Sequence, residues 1–210
     1  MTSPQRPIAG LVATVSAALE GGVSLVQFRE KHPPSEDERD AAARAVAEVC
    51  RSHGVPFLVN DDAEFASRIH ADGVHVGRGD TPPETARELL GPKALVGMTV
   101  YGGEREEEAA REAGADYVAV GPFFPSATKP EEPVLPLLIL DHVVRRSALP
   151  VFAIGGINAE NAPVLARHGV SGIAVVSAIM GATDPRKAAE ALRRAFDRGR
   201  GERGGEPTPV

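Results

Sequence analysis

Val26-Gln27-Phe28-Arg29-Glu30-Lys31 places an amide and two cations at alternate positions of a strand-like run. Side chains alternate across a strand, so Gln27, Arg29 and Lys31 share one face while Val26 and Phe28 share the other. Gathering two cations on an inward face is costly unless an anion pairs with them. Taken alone, the run also reads as a surface edge strand whose charges stay in water. Asn60-Asp61 closes the next apolar run, and Gly77-Arg78-Gly79-Asp80 follows the one after that. Carboxylates at neighbouring strand ends suit Mg²⁺, which is commonly held by one or two carboxylates together with substrate phosphate oxygens. Singly, either aspartate is better explained as a helix cap or turn residue. Side by side next to the cationic strand, the two read as a metal site. His75 is expected to point inward as a hydrogen-bonded structural imidazole rather than a catalytic one, and Thr99 and Tyr101 add a hydroxyl and a phenol after a fourth apolar run.

The strongest chemical signal follows Tyr117-Val118-Ala119-Val120. The stretch Gly121-Pro122-Phe123-Phe124-Pro125-Ser126-Ala127-Thr128-Lys129 offers glycine, hydroxyls and a lysine where packing residues would be expected, a composition suited to phosphate oxygens. A phosphorylated substrate is the expectation.

These residues need a scaffold that brings strand ends together. Short apolar stretches begin near Val23, Val55, Gly73, Ala94, Asp116, Pro150 and Ser171, and a helix-period segment follows each one. Ala42, Val46, Val49 and Cys50, for example, fall on one helix face. Ser35 with Glu38 forms a capping box, Thr81-Pro82 and Asp184-Pro185 read as caps followed by proline, Asn158 can cap another helix, and Gly54, Gly114 and Gly169 read as stops. Parallel strands joined by helices make either an open doubly wound sheet or a barrel. There is no Gly-x-Gly-x-x-Gly after the first strand, and polar residues at nearly every strand end favour a (β/α)8 TIM barrel with its site on that face. Gly155-Gly156 and Val176-Ser177 then end the last two strands, where such barrels often bind phosphate through backbone N–H groups.

Only one helix, carrying Leu11, Val15 and Leu19, precedes the strand near Val23. The barrel is therefore expected to lack its first β-strand. That would leave the strands near Val23 and Ser171 with unpaired edges, favouring association into a homo-oligomer, and in-frame upstream codons are expected to encode the strand. The domain is expected to span residues 1–196, with 197–210 as a disordered polar tail.

Composition narrows the partners. A net charge of −6 with 4% aromatic residues gives neither a basic footprint nor a stacking surface for nucleic acid. No apolar run approaches the ~20 residues of a membrane span, and Met1 to Gly10 lacks the apolar centre of a signal peptide, so a cytoplasmic protein without membrane or nucleic-acid partners is expected. Cys50, the one cysteine, is expected to be an inert core thiol.

Together these segments resemble the thiamine-phosphate synthase family from about Leu11 to Phe196, and Phe124-Pro125-Ser126-Ala127-Thr128-Lys129 is the most specific of them. The resemblance implies a transferase joining hydroxymethylpyrimidine diphosphate to hydroxyethylthiazole phosphate. It implies that Gln27, Arg29, Lys31, Asn60, Thr99, Ser126, Thr128 and Lys129 bind the pyrimidine diphosphate, with Arg29, Lys31 and Lys129 stabilising the departing group. It implies Mg²⁺ at Asp61 and Asp80, and thiazole phosphate at Gly156, Val176 and Ser177. Thr99 and Tyr101 stand where the family usually has Ser and His, Ser126 where Thr is common, and Asp62 where Arg often follows. Asp62 either adds negative charge near the diphosphate or caps the following helix. Alternatives are a thiazole tautomerase-like enzyme, which needs no metal and diphosphate apparatus, and a non-catalytic phosphate-ligand-binding domain.

Overall fold

Seven short runs rich in valine and other apolar residues become seven parallel strands, because helices on one side and the barrel interior on the other bury both of their faces. A computed structural model describes residues 1–2, 7–31, 33–126 and 132–203. In chain order the elements are α1 (Ile8–Glu20), β1 (Val26–Phe28), α2 (Glu36–Ser52), β2 (Phe57–Asn60), α3 (Ala63–Arg68), β3 (Gly73–Val76), α4 (Pro83–Leu90), β4 (Leu95–Val100), α5 (Glu106–Glu112), β5 (Tyr117–Val120), α6 (Leu137–Arg146), β6 (Val151–Ile154), α7 (Ala162–Arg167), β7 (Gly172–Ala174), α8 (Ser177–Met180) and α9 (Pro185–Arg203). The strands lie in sequential order in one sheet, so all their C-terminal ends open on the same side. This is the (β/α)8-barrel class with seven strands among the described residues.

The place of a further strand lies between β7 and β1, and the first two residues reach into it. The Thr2 N–H donates to the Gln27 carbonyl at 2.8 Å, the Arg29 N–H donates to Thr2 Oγ1 at 2.9 Å, and the Met1 ammonium donates to the Val175 carbonyl at 3.1 Å. The expectation of bare edges is thus corrected at the C-terminal ends of β1 and β7. Residues 1 and 2 cross that seam, and Thr2 is buried.

Alternation along the strands sends one set of apolar side chains outward, where they pack in two groups. Val26, Phe28, Val59, Val74, Val76 and Val96 face outward into an apolar layer with α1, α2 and α3, where Phe28 packs on Phe57 and Phe65. Leu11, Val15 and Leu19 of α1 and Val46 and Cys50 of α2 join that layer on the expected helix faces. The Cys50 thiol is pushed up to about 12, first by burial and then by the charge of Asp72, and so is inert. A second layer around Val118, Val120, Leu140, Val151 and Leu165 buries the other half of the sheet.

Three expectations about helix ends are corrected. Pro82, not Thr81, stands at the N-cap of α4, and no side-chain bond caps that helix. α9 continues to Arg203, so residues 197–203, expected in the tail, form its last turns. Gly199 permits this, because its bare Cα lets α9 settle against Pro163 and Ala166 of α7. Residues 204–210 lie outside the described residues. Asn161, not Asn158, stands at the N-cap of α7, and Asn158 Oδ1 instead accepts the Glu160 and Asn161 N–H groups at 2.9 and 3.1 Å in the turn before it. The other starts hold: Ser35 accepts the Glu38 N–H at 3.2 Å, and Asp184 accepts that of Lys187 at 3.0 Å.

Candidate active site

The mouth of the barrel is built from strand ends that run one or two residues past the ladder. β1 stops at Phe28, and the chain continues so that Lys31 Nζ meets Asp61 Oδ2 in an ion pair. Asp61 follows β2 with a φ of 68°, in the left-handed region that non-glycine residues seldom occupy. Asp80, beyond β3, accepts the Gly77 N–H at 2.8 Å and lies beside Asp61. Desolvation holds its carboxyl above the usual range and the charge of Asp61 adds to this, while the Gly77 N–H and Lys31 oppose it. Two carboxylates that repel each other beside a single ammonium form a donor set that fits a hard divalent cation with phosphate oxygens completing its shell. Among the described residues no cluster of three or more His, Cys, Asp or Glu side chains offers a metal cage.

Asp62 does not face this cluster. It accepts the Phe65 N–H at 2.9 Å as the N-cap of α3 and pairs with Arg39 at 3.0 Å. Of the two readings of Asp62, capping holds, and its charge is matched away from the mouth.

Gln27 is buried at 8% exposure on the interior face, in register with Leu58. Arg29 follows it, half-buried, with its backbone fixed by Thr2. Asn60 pairs in register with His75. His75 is the interior hub, with Nε2 2.8 Å from Thr99 Oγ1 and Nδ1 2.9 Å from the Tyr117 hydroxyl. Burial pulls the imidazole down to about 4, against a smaller opposing effect of Asp61, so it is neutral at pH 7. Burial likewise pushes the Tyr117 phenol up, and it stays protonated.

A second group sits at the ends of β6 and β7. Gly156, at a φ of 66°, lies so close to the carbonyls of Phe124 and Pro125 that a Cβ there would come within 2.5 Å of both oxygens. Gly155 is equally crowded by Pro122, and the Phe124 N–H donates to the Gly155 carbonyl at 3.3 Å. The two glycines therefore clasp the chain leading to Ser126. Val176 is the N-cap of α8, and Ser177 is its first, exposed residue. Thr128 and Lys129 lie outside the described residues.

A further feature of the mouth was not singled out from the sequence. Glu106 accepts the backbone N–H groups of Tyr101 and Gly103 at 2.8 and 3.0 Å and pairs with Arg78 at 3.0 Å, while the Arg78 guanidinium lies 4.6 Å from the Tyr101 ring centre. These bonds hold the Glu106 carboxyl below the usual range despite its burial. Only a glutamate three residues after Gly103 hinted at it, and the Arg78 contact spans 28 residues.

A model of the family described as thiamine monophosphate synthase matches residues 1–179. Thiamine-phosphate synthase from Thiobacillus denitrificans is 47% identical over 186 residues, covering 89% of this chain and 88% of that protein. The protein of the same name from Geobacillus thermodenitrificans is 44% identical over 182 residues, covering 85% and 81%. In three dimensions the chain is similar to thiamine phosphate pyrophosphorylase from Pyrococcus furiosus, with a TM-score of 0.82 at 37% identity over 94% of this chain and 95% of that one. No described helix is long and apolar enough to cross a membrane.

Proposed function

The chain belongs to the thiamine monophosphate synthase family, and on that premise we propose that it condenses hydroxymethylpyrimidine diphosphate with hydroxyethylthiazole phosphate, giving thiamine phosphate and diphosphate. The observation that carries this reading is the meeting of Lys31, Asp61 and Asp80 at the mouth, a charge arrangement a diphosphate–metal pair would complete.

In the proposed reaction the bond between the pyrimidine methylene carbon and the diphosphate oxygen breaks, and both electrons leave with the oxygen. The thiazole ring nitrogen gives its lone pair to that carbon, and the resulting thiazolium ring carries the positive charge. No protein nucleophile is required. Arg29, Lys31 and Lys129 stabilise negative charge growing on the diphosphate. Gln27, Asn60 and Thr99 orient the pyrimidine, and Ser126 and Thr128 hold phosphate oxygens. Gly156, Val176 and Ser177 offer backbone N–H groups and a hydroxyl to the thiazole phosphate. Mg²⁺ held by Asp61 and Asp80 would add positive charge against the leaving group.

Purified protein should form thiamine phosphate from the two substrates when Mg²⁺ is supplied and stop when it is chelated. No product under any metal condition would overturn the reading, and full turnover in chelator would remove the metal from it.

A further inference from the structure

His75, Gly97 and Tyr117 form one row across β3, β4 and β5, paired in register on neighbouring strands. A methyl group at Gly97 would overlap Tyr117 Cζ and Oη, so the tyrosine ring lies across the glycine and reaches His75 through the space a side chain would have taken. The two rings stack with centroids 5.5 Å apart, and Phe152 closes against the far edge of Tyr117 at 5.2 Å. Thr99 stands two residues beyond Gly97, on the same face and one step nearer the mouth. The result is a continuous line from Tyr117 Oη to His75 Nδ1, and from His75 Nε2 to Thr99 Oγ1.

The direction of this line follows from donor chemistry. A neutral imidazole carries one N–H, so one of its nitrogens must accept. Among the described residues, the Tyr117 hydroxyl has His75 Nδ1 as its hydrogen-bond partner, and a phenol O–H is a far better donor than its oxygen is an acceptor. Tyr117 therefore donates to Nδ1, and the imidazole proton sits on Nε2. Nε2–H then donates to Thr99 Oγ1, which frees the threonine proton to point into the mouth. The opposite tautomer would consume that proton, leaving Thr99 only a lone pair to offer.

We propose that Tyr117 and His75 are positioning residues that fix Thr99 as a hydrogen-bond donor, so that Thr99 selects a substrate atom that accepts. This rests on the reading above that Thr99 faces the pyrimidine substrate, whose ring nitrogens and diphosphate oxygens are acceptors. Selection of this kind follows because a ligand presenting a donor there leaves the half-buried Thr99 hydroxyl proton unpaired once the ligand excludes water.

The test is Tyr117→Phe, which keeps the ring and removes only the hydroxyl. Histidine ¹⁵N spectra of the ligand-free protein should show His75 protonated on Nε2, and the variant should shift it toward Nδ1 protonation. In steady-state kinetics the variant should lose about tenfold in kcat/KM for the pyrimidine diphosphate, the scale of one hydrogen bond, with the KM for thiazole phosphate unchanged. Thr99→Val should lose a similar factor, the double variant little more than either alone, and Thr99→Ser should retain the coupling to Tyr117. A wild-type Nδ1–H tautomer, an unmoved tautomer in the variant, or additive losses would overturn the proposal. A protein that turns over neither substrate would defeat the proposed function, while the ¹⁵N spectra would still decide the direction of the line.

Discussion

The backbone N–H of Asp61 donates to the carbonyl of His75 at 2.7 Å, adding a rung beyond the end of β2. The left-handed turn at Asp61 then swings its carboxylate toward Lys31 and Asp80. The charged cluster at the mouth and the neutral hub below it thus hang from one peptide contact.

Charge, rather than shape, should be what Asp61 and Asp80 contribute. Asn tolerates left-handed φ values better than most residues, so Asp61→Asn should fold normally, as should Asp80→Asn. Each is expected to lower kcat by on the order of 10²–10³, or ~3–4 kcal/mol of transition-state stabilisation. Circular dichroism checks the fold and turnover at saturating Mg²⁺ the effect. Near-normal rates in both variants would remove the metal assignment.

Acid should weaken the fold through His75. Its folded pKa of about 4 lies below the unfolded 6.5, so between these values the unfolded chain binds the extra proton and the folded protein does not. The stability of the neutral, buried state is fully present above pH 6.5 and falls as pH drops toward 4, by up to about 3 kcal/mol. Denaturant titrations of wild type and His75→Gln in chelator, at pH 7 and pH 4.5, should show the wild type losing more. Parallel losses would place the acid sensitivity elsewhere.

Two glycines of α9 should respond to alanine with opposite signs. A Cβ at Gly199 would come within 2.7 Å of Pro163 Cα and 2.8 Å of Ala166 Cβ, whereas one at Gly201 meets nothing within 4 Å. Gly199→Ala should cost ~1–3 kcal/mol by overpacking, and Gly201→Ala should add up to ~1 kcal/mol from helix propensity. Thermal melts would separate them by several degrees, about 2–4 °C for each kcal/mol in a chain of this size.

Lys129→Ala should mainly impair use of the pyrimidine diphosphate. Gly156→Val, a change at the site proposed for the thiazole phosphate, would drive its side chain into the carbonyls of Phe124 and Pro125. It should disturb the loop leading to Ser126 and raise the KM for both substrates. A KM change confined to thiazole phosphate would show that the loop absorbs the collision.

All seven strands were legible because each is a short apolar run between a helix stop and a polar end, and helix faces such as Leu11, Val15 and Leu19 were legible from their spacing alone. Alternation also sufficed to send Gln27 inward and Phe28 outward. What escaped the sequence depended on distant partners. The Tyr117–His75 bond joins residues 42 apart and needs a glycine on the strand between them. Asp62 carried two readings until Arg39 was seen beside it. The end of α9 looked too rich in glycine and charge to be helical, yet one of those glycines is its contact with α7.

The rings of His75, Tyr117 and Phe152 run from β3 to β6 beneath the mouth, and Tyr117 and Phe152 each lie over a glycine of the adjoining strand, Gly97 and Gly172. This aromatic floor limits how deep any ligand can sink. The depth of the barrel interior on this side is thus set by the rings of Tyr117 and Phe152. Changes in the size of molecule the barrel admits would have to be made in pairs, a ring and its glycine together, because a side chain added under an unchanged ring has nowhere to go.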